Sequence, residues 1–172
     1  SLAPPSAQAQ RVKDAYEGGP SVYVRALTVE PARAALWVGT SAGVHEVDLA
    51  SGKLRNTFTR KEGLANEYVF AIGLDRRGQK WFGTNAGGVS RYKDGQWKTL
   101  FPMHGLADYW IYSFAEQRSG DFWIGAWAGV NKLDAKSGKE HWDTRLPASC
   151  WASPSRCWSG RFARCSTSAA RP

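Results

Sequence analysis

The sequence predicts an all-β protein, an open array of three four-stranded antiparallel sheets, and three observations carry that expectation. First, Trp37, Trp81 and Trp123 stand in one recurring block: Leu36-Trp37-Val38-Gly39-Thr40, Lys80-Trp81-Phe82-Gly83-Thr84 and Phe122-Trp123-Ile124-Gly125-Ala126, spaced 44 and 42 residues apart. Second, another marker keeps the same register, because Gly63-Leu64-Ala65-Asn66-Glu67-Tyr68-Val69 and Gly105-Leu106-Ala107-Asp108-Tyr109-Trp110-Ile111 lie 42 residues apart. A weaker copy, Gly18-Gly19-Pro20-Ser21-Val22-Tyr23-Val24, opens the first repeat. Third, nine Trp, six Tyr and seven Phe sit beside 18 Gly, the mixture of short aromatic strands and tight glycine turns. A four-stranded sheet that is apolar on both faces cannot shelter itself, and stacking copies around an axis buries both faces. The expected architecture is therefore a partial β-propeller whose blades are the repeats.

In chain order, residues 1–17 form a lead segment, a candidate outer strand, and the blades follow at about 18–62, 63–104 and 105–149. The second blade shows the internal division. Val69 to Leu74 reads as strand one, Asp75-Arg76-Arg77-Gly78 as a turn and Lys80 to Thr84 as strand two. Asn85-Ala86-Gly87-Gly88 turns into strand three, Val89 to Tyr92, and Lys93-Asp94-Gly95-Gln96 carries an Asp-Gly hairpin signal into strand four, Trp97 to Phe101. Trp37, Trp81 and Trp123 are expected to form the packing layer between blades, and the Gly two positions later marks where a side chain would obstruct the next sheet.

Arg145-Leu146-Pro147-Ala148-Ser149 resembles a further linker, and a fourth blade would place its Trp near position 165, where Cys165 stands. The last 23 residues, 150–172, fit no strand pattern, so they are read as a frameshifted continuation or a natural disordered tail. All three cysteines, Cys150, Cys157 and Cys165, fall there, at spacings that match neither zinc nor CxxC patterns.

The net charge of +8 points toward nucleic acid. Four of the 23 basic residues and none of the 15 acidic ones lie beyond residue 145, however, so the repeats are only mildly basic and no nucleic-acid partner is expected. No run approaches the length of a membrane span. The opening Ser1-Leu2-Ala3-Pro4-Pro5-Ser6-Ala7-Gln8-Ala9 ends in an A-x-A pattern like the trailing edge of a secretory signal.

The pattern G-L-x-[N/D]-x-x-[V/I], a D-x-x-G-like turn and W-x-G-[T/A] resembles the two-component regulator propeller repeat over about residues 18 to 149. That resemblance implies blades of a usually seven-bladed periplasmic or extracellular propeller on a membrane-bound regulator, hence a ligand-sensing input module for signal transduction. Three copies are too few to close a ring. The partners then expected are further blades or another copy of the chain, and a carbohydrate or other small-molecule ligand.

If each blade begins at its inner strand, the linkers and the turns between strands two and three share one face. That face collects Tyr23, Ser41, Asn66, Tyr68, Asn85, Asp108, Trp110 and Trp127 as candidate ligand-binding residues around the channel mouth. Tyr23, Tyr68 and Trp110 occupy equivalent positions, and an arc of such rings suits sugars or flat ligands; the plainer alternative is packing against neighbouring linkers. No catalytic residue, metal site or cofactor is expected. His45, His104 and His141 fall at different points of the repeat, Asp75 and Asp94 sit in turns, and no phosphate loop or HExxH occurs. A protein-binding scaffold and a carbohydrate-active propeller enzyme remain as alternatives.

Overall fold

The computed structural model describes residues 22–133; the lead segment, His141, the three cysteines and the 150–172 tail lie outside them. The chain is all-β and forms an open array of meandering antiparallel sheets. Blade 1 contains β1 (Val24–Glu30), β2 (Ala35–Thr40), β3 (Gly43–Asp48) and β4 (Leu54–Phe58). Blade 2 contains β5 (Val69–Leu74), β6 (Lys80–Thr84), β7 (Val89–Lys93) and β8 (Gln96–Leu100). Blade 3 contains β9 (Ile111–Glu116), β10 (Phe122–Ala126) and β11 (Gly129–Leu133), and its expected fourth strand falls outside the described residues.

Turn chemistry explains the shortness of the strands. At the β7–β8 hairpin, Asp94 and Gly95 take φ of 48° and 81°, the pair of positive values that matches the twist of the flanking strands. Asp75 accepts the backbone N–H groups of Arg77 and Gln79, each at 2.9 Å, which folds the β5–β6 turn back on itself.

The core lies between sheets. Trp37, Val44, Phe58, Leu64, Val69 and Phe82 form one buried cluster joining blades 1 and 2, while Trp81, Val89, Leu100, Leu106, Ile111, Phe122 and Ile124 join blades 2 and 3. Trp37 meets Phe82 of the next sheet at 5.9 Å between ring centroids, and Trp81 stacks on Phe122 at 4.8 Å. Trp123, in the last described sheet, is only half-buried. The adjoining glycines permit the approach: a Cβ on Gly39 would stand 2.9 Å from Val69 Cγ1, and one on Gly83 would stand 2.7 Å from Ile111 Cγ2.

Each indole also has a fixed acceptor near the end of its sheet's first strand. Trp37 Nε1 donates to Glu30 at 2.8 Å, Trp81 to Asp75 at 3.0 Å and Trp123 to Gln117 at 3.3 Å. A buried indole N–H needs such a partner. In blade 1 the acceptor also reaches across the interface, where Glu30 and Lys80 pair at 2.7 Å with both side chains buried.

The first strands are the inner ones, with β1 packed on β5 and β5 on β9. Thr28 Oγ1 donates to the Ile72 carbonyl at 3.0 Å, a direct bond between successive inner strands. On the opposite end from the linkers, Arg76 ties hairpin to hairpin. Its Nε lies 2.9 Å from Glu116 and its guanidinium reaches the carbonyls of Gln117 and Arg118.

Candidate ligand site at the channel mouth

One backbone pattern builds the mouth three times over. Ser41, Asn85 and Trp127, each opening the turn after its blade's second strand, donate N–H to the carbonyls of Tyr23, Tyr68 and Trp110, all at 2.9 Å. The same turns reach forward, since Gly43 donates to Glu67 and Gly88 to Tyr109, both at 2.8 Å. Linkers and strand-two-to-three turns therefore do occupy one face.

Short side chains shape this face. Asn66 Oδ1 accepts the Tyr68 N–H at 2.9 Å and Asp108 Oδ1 accepts that of Trp110 at 3.0 Å, the bond by which Asn and Asp mimic a backbone turn. Ser41 Oγ accepts the Tyr23 N–H at 3.1 Å. Beneath them a polar residue on the third strand of blades 2 and 3 holds the linker: Ser90 Oγ accepts from Ala65 at 2.9 Å, and Asn131 Oδ1 accepts from Ala107 at 2.7 Å. His45 has the equivalent place in blade 1, and burial pushes its pKa below the usual imidazole value.

The inner strands add what the repeat alone does not reveal. Each is bulged at the same point: the register slips between Val24 and Ala26, between Val69 and Ala71, and between Ile111 and Ser113. A bulge carries one unpaired residue and re-aims its side chain. Here those residues are Arg25, Phe70 and Tyr112, and their side chains meet at the mouth.

Phe70 and Tyr112 stack at 5.3 Å with planes 10° apart, bridging blades 2 and 3. Tyr68 adjoins Phe70 at 5.1 Å, and the Arg25 guanidinium lies over both rings, at 5.5 and 5.6 Å. Arg25 Nη2 also donates to Tyr68 Oη at 3.0 Å. At the other end Tyr112 meets Trp127 at 6.3 Å, and Trp127 meets Trp110 edge-on at 6.0 Å. A continuous band thus crosses three blades, and it is wet: Tyr112 is 42%, Trp110 43% and Trp127 70% exposed.

Of the residues expected from sequence, Tyr68, Trp110 and Trp127 belong to this band. Asn66 and Asp108 serve the linker turns, and Asn85 caps Tyr68 through its backbone. Tyr23, 66% exposed, makes no ring contact with the band. Arg25, Phe70 and Tyr112 were missed, although they follow Val24, Val69 and Ile111 at one repeat position. The histidines stand apart: His45 is buried in β3, and His104 Nδ1 accepts the Phe101 N–H in a turn at 3.1 Å. Among the described residues, no group of three His, Cys, Asp or Glu side chains could hold a metal, and no helix is long and apolar enough to cross a membrane.

No protein-family model and no curated protein sequence matches the chain. Solved structures do. The extracellular domain of BT3049 from B. thetaiotaomicron, described as a hybrid two component system, is similar with 26% identity and a TM-score of 0.64 over 72% of this chain. The chain spans only 17% of that domain's length. An inactive variant of virginiamycin B lyase from Staphylococcus aureus, with quinupristin, matches 67% of this chain and 39% of its own at 18% identity and a TM-score of 0.51. The WD40 β-propeller domain of Doa1 matches 66% of this chain and 37% of its own at 21% identity and a TM-score of 0.52. The fold is thus shared with an enzyme and with a WD40 propeller, and function has to be argued from the site.

Proposed function

We propose that the chain is part of a ligand-sensing input module of a two-component-type signalling protein, lying outside the cytoplasm. The observation that carries this reading is the exposed aromatic band at the channel mouth. Rings that serve packing are driven out of water, as Trp37 and Trp81 are, with exposures of 1% and 0%. Trp110, Tyr112 and Trp127 stay wet while adjoining one another along the band, which suits a ligand that presents ring faces, such as a carbohydrate. The likeness to an extracellular domain described as part of a hybrid two component system supports the signalling role and the location.

The reading takes binding, with no turnover, as the task of this face. The Ser41, Asn66 and Asp108 side chains next to the band are spent on linker turns, which leaves rings, one guanidinium and the Asn85 amide to face a ligand. The test is a glycan array probed with the chain and with Trp110→Ala and Tyr112→Ala. Binding by the parent that both variants lose, at unchanged melting temperature, supports the site. Loss through unfolding supports packing, and conversion of a bound glycan would establish an enzyme.

A scaffold is the second reading, favoured by the same aromatic exposure, since Tyr and Trp anchor protein interfaces. It expects no glycan binding, and capture of a protein partner that Trp127→Ala abolishes.

A further inference from the structure

We infer that the ligand of this mouth carries an anionic group, a carboxylate or a sulfate, which seats on Arg25 while the ligand's rings lie along Phe70, Tyr112 and Trp127. This rests on the mouth being a binding site and adds the charge of what it binds.

Four of the other arginines are spent on carboxylates. Arg33 and Arg55 pair with Glu46, Arg60 pairs with Glu67, and Arg76 pairs with Glu116. These arginines join strands, linkers or hairpins. Arg25 does none of this. Among the described residues no carboxylate pairs with it, and its one hydrogen bond goes to the neutral Tyr68 hydroxyl. Its backbone is the unpaired residue of a bulge, so its place in the ladder is not what holds it there.

The side chain is nonetheless held. Two ring faces and one hydroxyl fix the guanidinium at the blade 1 end of the band, and the residue remains exposed. A guanidinium has five N–H donors, is always charged and sheds water more readily than an ammonium, so fixing its plane prepares it for two-pronged recognition of a carboxylate or sulfate. With one N–H spent on Tyr68, the remaining donors face solvent or a ligand. None of the six side chains that form the band carries a negative charge to repel an anion.

Geometry sets the order of contacts. The cation stands on β1, the stacked pair spans β5 and β9, and Trp127 and Trp110 close the blade 3 end. A ligand lying across the blades therefore meets charge at one end and rings along the rest.

The test is an array of matched glycans probed with the full chain: oligogalacturonides, their methyl esters, which keep the rings and lose the charge, and sulfated and unsulfated galactan oligosaccharides. Hits are followed by titration calorimetry at two salt concentrations. The expected result is binding by acidic members over their neutral partners, weakened about tenfold or more by Arg25→Gln. The same variant leaves the melting temperature unchanged, and the uronate and sulfate arms tell which anion is taken. Equal binding of esters and acids, lost in Trp110→Ala but kept in Arg25→Gln, overturns this inference and leaves the site reading standing. Acidic hits that survive both substitutions are adsorption to a chain of net charge +8 and overturn both. An array without hits does the same.

Discussion

At Gly83 an added Cβ would meet Ile111 Cγ2 at 2.7 Å and the Ile111 carbonyl oxygen at 3.0 Å. Backbone cannot swing aside as a side-chain tip can, so Gly83→Ala must separate β6 from β9. Urea unfolding should show a loss of about 1–3 kcal/mol, the usual cost of overpacking; an unchanged midpoint would mean the sheets do not touch there. His45 makes a second prediction at this scale. Burial lowers its pKa, so below about pH 6.5 the unfolded chain takes up a proton that the folded one resists. Stability should therefore fall as pH drops from 7.5 to 5.5, and His45→Asn, which installs the residue blade 3 carries at Asn131, should flatten that slope. A slope equal in both proteins would clear His45 of the effect. Arg25, Phe70 and Tyr112 could not be read from residue type alone, because strand alternation gives no sign of the bulge that re-aims them.

Among the elements, the Asp-Gly hairpin and the W-x-G strands were legible, since local turn chemistry and a fixed aromatic position both speak through nearby sequence. Val69–Leu74 and Lys80–Thr84 form strands over the very residues the pattern marked, while the next two differ by a residue at their ends. Less legible were partnerships made across the repeat. Nothing near Ser90 announces that its hydroxyl holds the Ala65 N–H of the incoming linker. Ser90 is fully buried, so Ser90→Ala strands that donor and should cost about 1–3 kcal/mol. Thermal denaturation should show it together with faster amide exchange in the linker, residues 64–68. A loss without that local exchange would point to the strand instead. The indole acceptors Glu30, Asp75 and Gln117 share a repeat position, but their differing chemistry hides the common role.

For the molecule as a whole, stability resides in two inter-sheet cores, and among the described residues the outer face of blade 1 presents apolar side chains at positions that the middle sheet packs against its neighbour. On blade 1 Leu27 is 61% and Val29 50% exposed, whereas Ile72, at the position of Leu27, contacts the space above Gly39 of the preceding sheet. Apolar area of this kind favours association of copies. Sedimentation velocity should show oligomers that grow with concentration and that Leu27→Lys reduces; a monomer at all concentrations would contradict that. Neighbouring sheets stabilise one another through the recurring tryptophans, and a double-mutant cycle on Trp81 and Phe122 tests this most directly. Urea unfolding of the two single alanine variants and the double should give a coupling of about 1 kcal/mol or more, as expected for stacked rings in contact across an interface. Strictly additive losses would show that the two rings do not meet and that the sheets are not stacked as described.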